Sequence, residues 1–448
     1  MHRFWPLAFL LFFSCGKKSD STSDSKIYYQ YGTAALPGSM AQLAPNFRPA
    51  SLSDKIFTKN GKVYSPADLL TQNLELSFDV ATQVTTGRSA ITFNLPTDSY
   101  PYLDLNATVT SATIDGVVVP FTTVTDPDGL GNSYLTFDSL ITQGSHTLEV
   151  EYSLPGKITY ANGGADFLTS MTDVSNAHFF ETWGPTGFED DSFALTLSLN
   201  LLNGSAPEQL FTNGNITNTT STHWEIEFPP YFTKSSFYVH LTNKALEVRN
   251  FFYHSIPVTV YSTSAYLSDK AQAILPGLFE ELENDYGPYP HTSFTAFVKP
   301  SGGGMEYSGA TIASIPAIDH ELLHSWFARG VMPAEGRSGW IDEAIASWRD
   351  YGYFQAASLL ERVPTNLSNY SPYRKSTPGN AYTDGRQFLS ELDRLFAAYG
   401  GLKPILRLFS DRYQHKVMTN EEFQLFLESM TLMDLGPYFR RYTLSDGN

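Results

Sequence analysis

Five residues in the second half of the chain, His320-Glu321-Leu322-Leu323-His324, have the types and spacing that metal-dependent hydrolysis requires. On a helix, positions four apart share a face, so both imidazoles can reach one ion. Glu343 follows after eighteen intervening residues and supplies a carboxylate. Two imidazoles and one carboxylate make a three-ligand zinc site with an open fourth position, as catalytic sites have. The pattern predicts one Zn²⁺ per chain, held by His320, His324 and Glu343.

Glu321 stands beside the two histidines, where it can act as a general base toward water on the metal. The chain has ten histidines, so a His-acid-x-x-His pattern could also arise by chance. The neighbouring segments decide between these interpretations.

Composition narrows the class of protein. The chain has 448 residues, 42% of them hydrophobic, which is enough for a large core and predicts more than one domain. Its formal net charge of −17 disfavours nucleic acid and anionic membrane surfaces as partners.

The first fifteen residues have the pattern of an export signal. His2 and Arg3 precede an apolar run, Phe4–Phe13, and Cys15, the sole cysteine, follows closely. This resembles the lipobox of bacterial lipoproteins, although Phe12 stands where leucine is usual. The resemblance implies lipid attachment at Cys15 in the cell envelope, with the lipid as the protein's only membrane contact. The alternative is an ordinary cleaved signal and a secreted protein.

Hydrophobic periodicity divides the rest of the chain. After a tether and lead-in (16–62), period-two alternation predicts an antiparallel β domain over 63–248. A mainly helical domain should occupy 249–448 and include a helix over 266–285. The alternating positions include Leu74, Leu76, Phe78, Val80, Leu148, Val150, Tyr152, Leu195, Leu197 and Leu199.

Local signals place several helix starts in the second domain. Pro316 suits the first turn of the helix carrying the first histidine. Ser338 is a candidate N-cap for the helix that carries Glu343. Thr419 and Glu422 fit a capping box.

A longer constellation surrounds the metal motif. Gly303-Gly304-Met305-Glu306-Tyr307 precedes it, and Trp340-Ile341-Asp342-Glu343-Ala344 follows. Together they resemble the gluzincin aminopeptidases, the family of membrane alanyl aminopeptidase and leukotriene hydrolase, from about residue 65 to the end. The resemblance implies a multidomain α+β fold, in which a β saddle domain precedes a thermolysin-like catalytic domain. It also implies a minimal bacterial member, since the family's large C-terminal helical domain has no room here.

The resemblance also implies roles for individual residues. Glu306 would grip the free amino group of the substrate, and Gly303, Gly304 and Met305 would let a peptide lie alongside as an added strand. Tyr382 heads Tyr-Thr-Asp-Gly, similar to the family's Tyr-x-Lys-Gly, and its hydroxyl would stabilise the oxyanion. The alternatives are a Gly-rich hairpin loop and a packing tyrosine.

Asp350 lies seven residues after Glu343, two helical turns on, so it returns to the same face. There it would orient a ligand histidine. An exposed surface aspartate is the alternative.

Three positions depart from the family pattern. Tyr307 replaces an asparagine, Asp384 replaces a lysine, and Met171 falls where a glutamine helps to bind the substrate amine. Methionine cannot accept a strong hydrogen bond from ammonium.

We therefore expect a zinc aminopeptidase that hydrolyses the N-terminal bond of peptides. An endopeptidase using the same zinc, a relative of the glycyl aminopeptidases, and a non-catalytic peptide-binding lipoprotein remain as alternatives. Glu321 is not needed to bind metal, so its presence favours catalysis.

Overall fold

A computed structural model describes residues 52–156, 158–357 and 364–443. The predicted signal, Cys15 and most of the predicted tether lie outside the described residues. No helix among the described residues is both long and apolar enough to cross a bilayer.

The first half of the molecule is built from three β-sheets. Alternating apolar residues such as Leu74, Leu76 and Phe78 are buried because every second side chain of a strand points to the same face. One sheet has the order β1 (Phe57–Lys59), β2 (Lys62–Pro66), β5 (Tyr100–Leu103), β9 (Ser133–Phe137), β8 (Phe121–Thr125). The largest has the order β15 (Asn215–Thr219), β16 (His223–Glu227), β13 (Ala194–Leu202), β3 (Asp68–Asp79), β4 (Val84–Leu95), β10 (Gly144–Ser153), β6 (Thr108–Ile114), β7 (Val117–Val118). The third has the order β11 (Thr159–Ala161), β12 (Gly164–Leu168), β17 (Val239–Thr242), β14 (Gln209–Thr212).

Pairing in these sheets is mixed, whereas the sequence predicted an antiparallel domain. β13 runs parallel to β3, and β2 runs parallel to β5. Parallel neighbours need a long crossover between them, and period-two alternation does not reveal strand direction. Regular structure also begins before residue 63, with a 3-10 turn at Leu52–Lys55 and strand β1.

The second half joins a five-stranded sheet to a set of helices. The sheet has the order β18 (Glu247–Tyr253), β19 (Ile256–Ser262), β20 (Phe294–Lys299), β22 (Ala310–Ser314), β21 (Gly304–Tyr307), so β21 is an edge strand. A small pair, β23 (Val331–Pro333) and β24 (Lys416–Met418), lies apart from it. The helices are α1 (Ala265–Tyr286), α2 (Ile318–Leu323), α3 (Trp340–Asp350), α4 (Arg386–Leu395), α5 (Lys403–Tyr413), α6 (Asn420–Thr431) and α7 (Gly436–Thr443).

The observed helix ends confirm some of the helix bounds and caps predicted from the sequence and contradict others. The predicted helix over 266–285 corresponds to α1, which continues through Pro276. Thr419 and Glu422 form the predicted capping box at α6. The Ser338 prediction was wrong: Gly339 occupies the N-cap of α3 and makes no side-chain cap. Ser338 is buried one residue earlier, so the chain enters this helix through packing instead of a hydroxyl cap.

Candidate active site

The two motif histidines lie at one short helix. His320 is inside α2, and His324 is its C-cap, with helical backbone angles. Their ring centres are 4.9 Å apart. Helical geometry therefore places both rings on one face, as the spacing predicted.

Glu343, on α3, faces both rings. Its Oε2 is 3.2 Å from Nε2 of His320 and 3.6 Å from Nε2 of His324. Tyr382 donates a hydrogen bond of 2.6 Å to Oε1 of the same carboxylate. Tyr382 lies in a π-helical turn, Ala381–Gly385, which packs against α3. The structure thus brings together two predicted histidines, the predicted carboxylate and the predicted tyrosine.

Each histidine is oriented through its other ring nitrogen. His320 Nδ1 is 2.7 Å from Oδ2 of Asp350, and His324 Nδ1 is 3.0 Å from the backbone oxygen of Phe327. Donation from Nδ1 leaves the Nε2 lone pairs free to bind a metal. Asp350 therefore contacts a predicted ligand histidine, as its helical position suggested.

The three side chains suit a zinc ion. His324 Nε2 is buried and makes no hydrogen bond within the described part of the chain. The ligand atoms of His320, His324 and Glu343 all lie within 4.8 Å of one another. A buried, unpartnered nitrogen is costly unless something binds it. Two imidazoles and a carboxylate are the donors that zinc prefers.

The electrostatics of the site favour positive charge. Burial opposes protonation of His324, but the carboxylates of Glu343 and Glu306 outweigh it and raise its pKa to about 10. Burial opposes the charged form of Glu343, yet both histidines together lower its pKa. The negative potential that holds a proton on these rings would also stabilise a divalent cation.

Glu321 is buried directly against strand β21. A Cβ built on Gly304 would overlap the Glu321 carboxylate, whereas one on Gly303 would meet nothing within 4 Å. Only a glycine at 304 lets the carboxylate approach the strand this closely. Burial raises the pKa of Glu321 to about 8, with opposing contributions from neighbouring histidines and carboxylates.

Glu306 follows on the same strand and is paired with an arginine that the sequence analysis missed. Nη2 of Arg329 is 2.9 Å from Oε1 of Glu306. The same guanidinium contacts two groups of the β-rich half, Ser235 at 2.5 Å and Glu189 at 3.6 Å. Arg329 follows the zinc motif as a single arginine and belongs to no periodic pattern or sequence motif that could have identified it. Only the fold reveals its partners.

Two of the three residues that depart from the family pattern, Met171 and Tyr307, pack together, whereas Asp384 accepts hydrogen bonds from Thr365 and Asn380. Tyr307 donates a 2.6 Å hydrogen bond to the backbone oxygen of Thr169, just before Met171. Met171, Met305 and Tyr307 belong to one buried apolar cluster. The large ring of Tyr307 thus joins strand β21 to the start of a hairpin from the β-rich half.

That hairpin brings a second missed residue, Asp173, to the site. Backbone bonds between Thr172 and His178 close the hairpin, and Thr377 donates to the Asp173 carbonyl at 2.7 Å. Burial, then the charges of Glu343 and Glu306, raise the pKa of Asp173 to about 7. A carboxyl group therefore lies near the position where the sequence alignment had placed methionine.

A pocket opens beside these groups at the junction of the two halves. It has a cavity volume of about 40 Å³ and is open to solvent. Its lining includes Asp173, Phe179, Lys234, Glu306, Arg329 and Asp342. We refer to it as the junction pocket.

Comparisons with known proteins agree with this architecture. Neither a protein-family model nor a curated protein sequence matches the chain. Yeast LTA4 hydrolase in complex with bestatin is similar in structure, with a TM-score of 0.64 and 16% identity over 92% of this chain and 71% of that one. An M1 zinc metallopeptidase from Deinococcus radiodurans has a TM-score of 0.59 and 15% identity over 84% of this chain and 92% of that one.

A two-domain M1 zinc metallopeptidase bound to L-tryptophan is also similar, with a TM-score of 0.59 and 15% identity, covering 87% of this chain and 97% of that one. The chain therefore shares the fold of the gluzincin aminopeptidases, the family of leukotriene A4 hydrolase and the M1 zinc metallopeptidases.

Proposed function

We propose that the protein is a zinc-dependent metallopeptidase, and specifically an aminopeptidase that hydrolyses the N-terminal bond of peptides. The observation that carries this proposal is the convergence of His320, His324 and Glu343 beside a buried Glu321. Three ligands and an adjacent base are the set that hydrolysis needs, whereas metal storage or structural support needs no base.

Zinc, when bound, would polarise the scissile carbonyl and lower the pKa of its water to near neutrality. Glu321 is placed to take the proton from that water and pass it to the leaving amine. Burial favours the neutral form of this carboxyl group, which is the form that donates the proton to the leaving amine.

Tyr382 would stabilise the tetrahedral intermediate. Burial, followed by the charge of Glu343, raises the pKa of its hydroxyl, which therefore keeps its proton and remains a donor. A preorganised donor in a buried site is the usual means of stabilising an oxyanion.

Peptide binding is supported by the edge strand. β21 pairs with β22 on one side only, so its other backbone edge can accept a peptide as an added strand. Glu306, at the inner part of this strand, would then meet the ammonium of the first residue. One structural neighbour is an M1 zinc metallopeptidase mutant bound to a Tyr-Ser-Ala substrate, and we infer peptide substrates here as well.

One observation favours a second candidate, an endopeptidase with the same zinc. The Arg329 guanidinium already compensates the charge of Glu306, which weakens that carboxylate as an anchor for ammonium. Asp173 supplies a further carboxyl group in the same region and supports the exopeptidase.

The test compares aminoacyl reporter substrates with N-acetylated peptides of matched sequence, using zinc-loaded protein. We expect free-amine substrates to be cleaved and acetylated ones to be poor substrates. Treatment with a chelator should abolish the activity, and added zinc should restore it. Equal cleavage of blocked and free peptides would support the endopeptidase, and cleavage of neither would refute both.

From sequence alone, we also propose that Cys15 carries a lipid anchor in the cell envelope. The Cys15→Ser protein should leave the membrane fraction and keep its peptidase activity. An unmodified mature N-terminus elsewhere, found by intact-mass analysis, would refute this.

A further inference from the structure

We propose that the junction pocket binds the side chain of the substrate's first residue and selects an acidic one, aspartate or glutamate, through Lys234. This inference rests on the proposed aminopeptidase function.

Chain geometry connects the pocket to the first residue. In that residue the Cα atom lies between the ammonium, which Glu306 would hold, and the scissile carbonyl beside the metal. The junction pocket is lined by Glu306 and by Asp342, the neighbour of the proposed ligand Glu343. A side chain leaving that Cα atom would therefore be directed toward this pocket.

Lys234 is a buried cation that shares the carboxylates of Asp104 and Glu181 with Lys375 and, among the described residues, pairs directly with neither. It retains only 4% of its possible exposure. Among the described residues, no carboxylate forms an ion pair with its Nζ, and no hydrogen bond satisfies it. Its contacts there are with two aromatic faces, at 5.1 Å from the ring centre of Phe179 and 6.0 Å from that of Phe188. A buried ammonium is unfavourable unless it is paired, so a ligand carboxylate would supply a missing interaction.

The other charges near Lys234 already have partners. Asp104 and Glu181 are within electrostatic range of it, but Lys375 forms ion pairs with both. Glu306 is held by Arg329.

Glu189 also lines the pocket, and it accepts hydrogen bonds from Thr233 and Ser235 and lies near Arg329. Lys234 and Arg374 are therefore the lining cations that a carboxylate could bind without breaking a direct ion pair among the described residues, and Lys234 is the more buried of the two. Phe179 and Phe188 would pack against the methylene groups of the ligand.

The experiment uses zinc-loaded protein and two matched pairs of aminoacyl reporter substrates, Glu against Gln and Asp against Asn. Each pair differs in charge and hardly in shape. We expect kcat/KM to be about tenfold or more higher for the acidic member, the scale of one charge-assisted contact. In Lys234→Met this preference should fall to about one, while the Gln substrate changes little. Lys270→Met, at an exposed lysine on α1, is the matched control and should keep the full preference.

Calorimetry with free L-glutamate and L-glutamine gives a second readout that needs no turnover. Tighter binding of glutamate, lost in Lys234→Met, would support the proposal. Equal use of Glu and Gln by the native protein, or an unchanged preference in Lys234→Met, would overturn it. If Lys234→Met fails to fold, the kcat/KM values of the native protein for the Glu and Gln substrates still test the proposal. If only blocked peptides are cleaved, the aminopeptidase proposal fails, and the calorimetry still tests the pocket.

Discussion

The metal side and the amine side of the site are built differently. The metal side, His320, His324 and Glu343, comes from two helices, and Asp350 and Phe327 on nearby turns orient its rings. The amine side combines Glu306 on an edge strand, Asp173 on a hairpin, and Arg329, which bonds to groups of both halves.

This difference suggests that the metal side governs the chemical step and that the amine side governs which substrates bind. Helix geometry fixes the relative positions of the metal ligands within a few residues of chain. The amine side depends on how two halves of the molecule pack, so its charge can change while the ligands stay in place. We expect changes on the metal side to affect turnover most strongly, and changes at the junction to affect binding and stability.

The largest effect should come from Glu321→Gln. The change removes the base and keeps nearly the same shape, so kcat should fall by about 10²–10⁴-fold, the usual contribution of general base catalysis. Zinc content, measured by atomic absorption, should stay at the native level. Native turnover in this variant would contradict the proposed mechanism.

Tyr382→Phe tests the oxyanion donor. The ring remains and only the hydroxyl is lost, so kcat should fall by roughly 10²–10³-fold, the scale for one such donor. KM should change little, since the bond forms mainly after attack. Tyr370→Phe, at a tyrosine whose hydroxyl donates to the backbone oxygen of Asn366, is the control and should be mild.

Gly304→Ala tests whether catalysis requires the close contact between strand β21 and the carboxylate of Glu321. The added methyl group would collide with the Glu321 carboxylate, and a displacement of about 1 Å can lower the rate by about 10²-fold. Gly303→Ala adds the same methyl group to open space and should remain close to native. Similar kcat/KM values for the two variants would mean that the carboxylate can relax elsewhere.

Asp350→Asn tests orientation of His320. The amide can no longer hold the ring nitrogen as a charged acceptor, so zinc affinity should drop by about 10–100-fold. Competition with a chromophoric chelator measures this directly. An unchanged zinc affinity would show that the contact between His320 and Asp350 does not contribute to metal binding.

The smallest effect concerns stability at the junction. Ala328, just before Arg329, is buried and has a φ of 115°, a conformation that favours glycine. Ala328→Gly should relieve this strain, but glycine also makes the unfolded chain more flexible, which opposes the gain. The free energy of unfolding should therefore rise by a net of about 1 kcal/mol. Denaturant unfolding measures it, and a lower stability would show that the backbone is not strained there.

The sequence alone predicted what depends on short spacing. The ligand pair of His320 and His324, the return of Asp350 to the face of Glu343, and the capping box at Thr419 all follow from helical periodicity. Alternation likewise predicted buried strand positions such as Leu76, because one face of each sheet must leave water. The entry to α3 was misplaced by one residue, since a serine at a plausible cap need not use its hydroxyl.

Only the tertiary structure decided which distant charges meet. The pair of Arg329 with Glu306, and the approach of Asp173 and Lys234 to the same pocket, bring together segments far apart in the chain, and no local period constrains them. It also decided strand direction, because β3 and β13 are parallel neighbours separated by more than one hundred residues. Sequence spacing fixes geometry only within a helix or a strand. Contacts between segments depend on how the whole chain buries its apolar surface and pairs its charges.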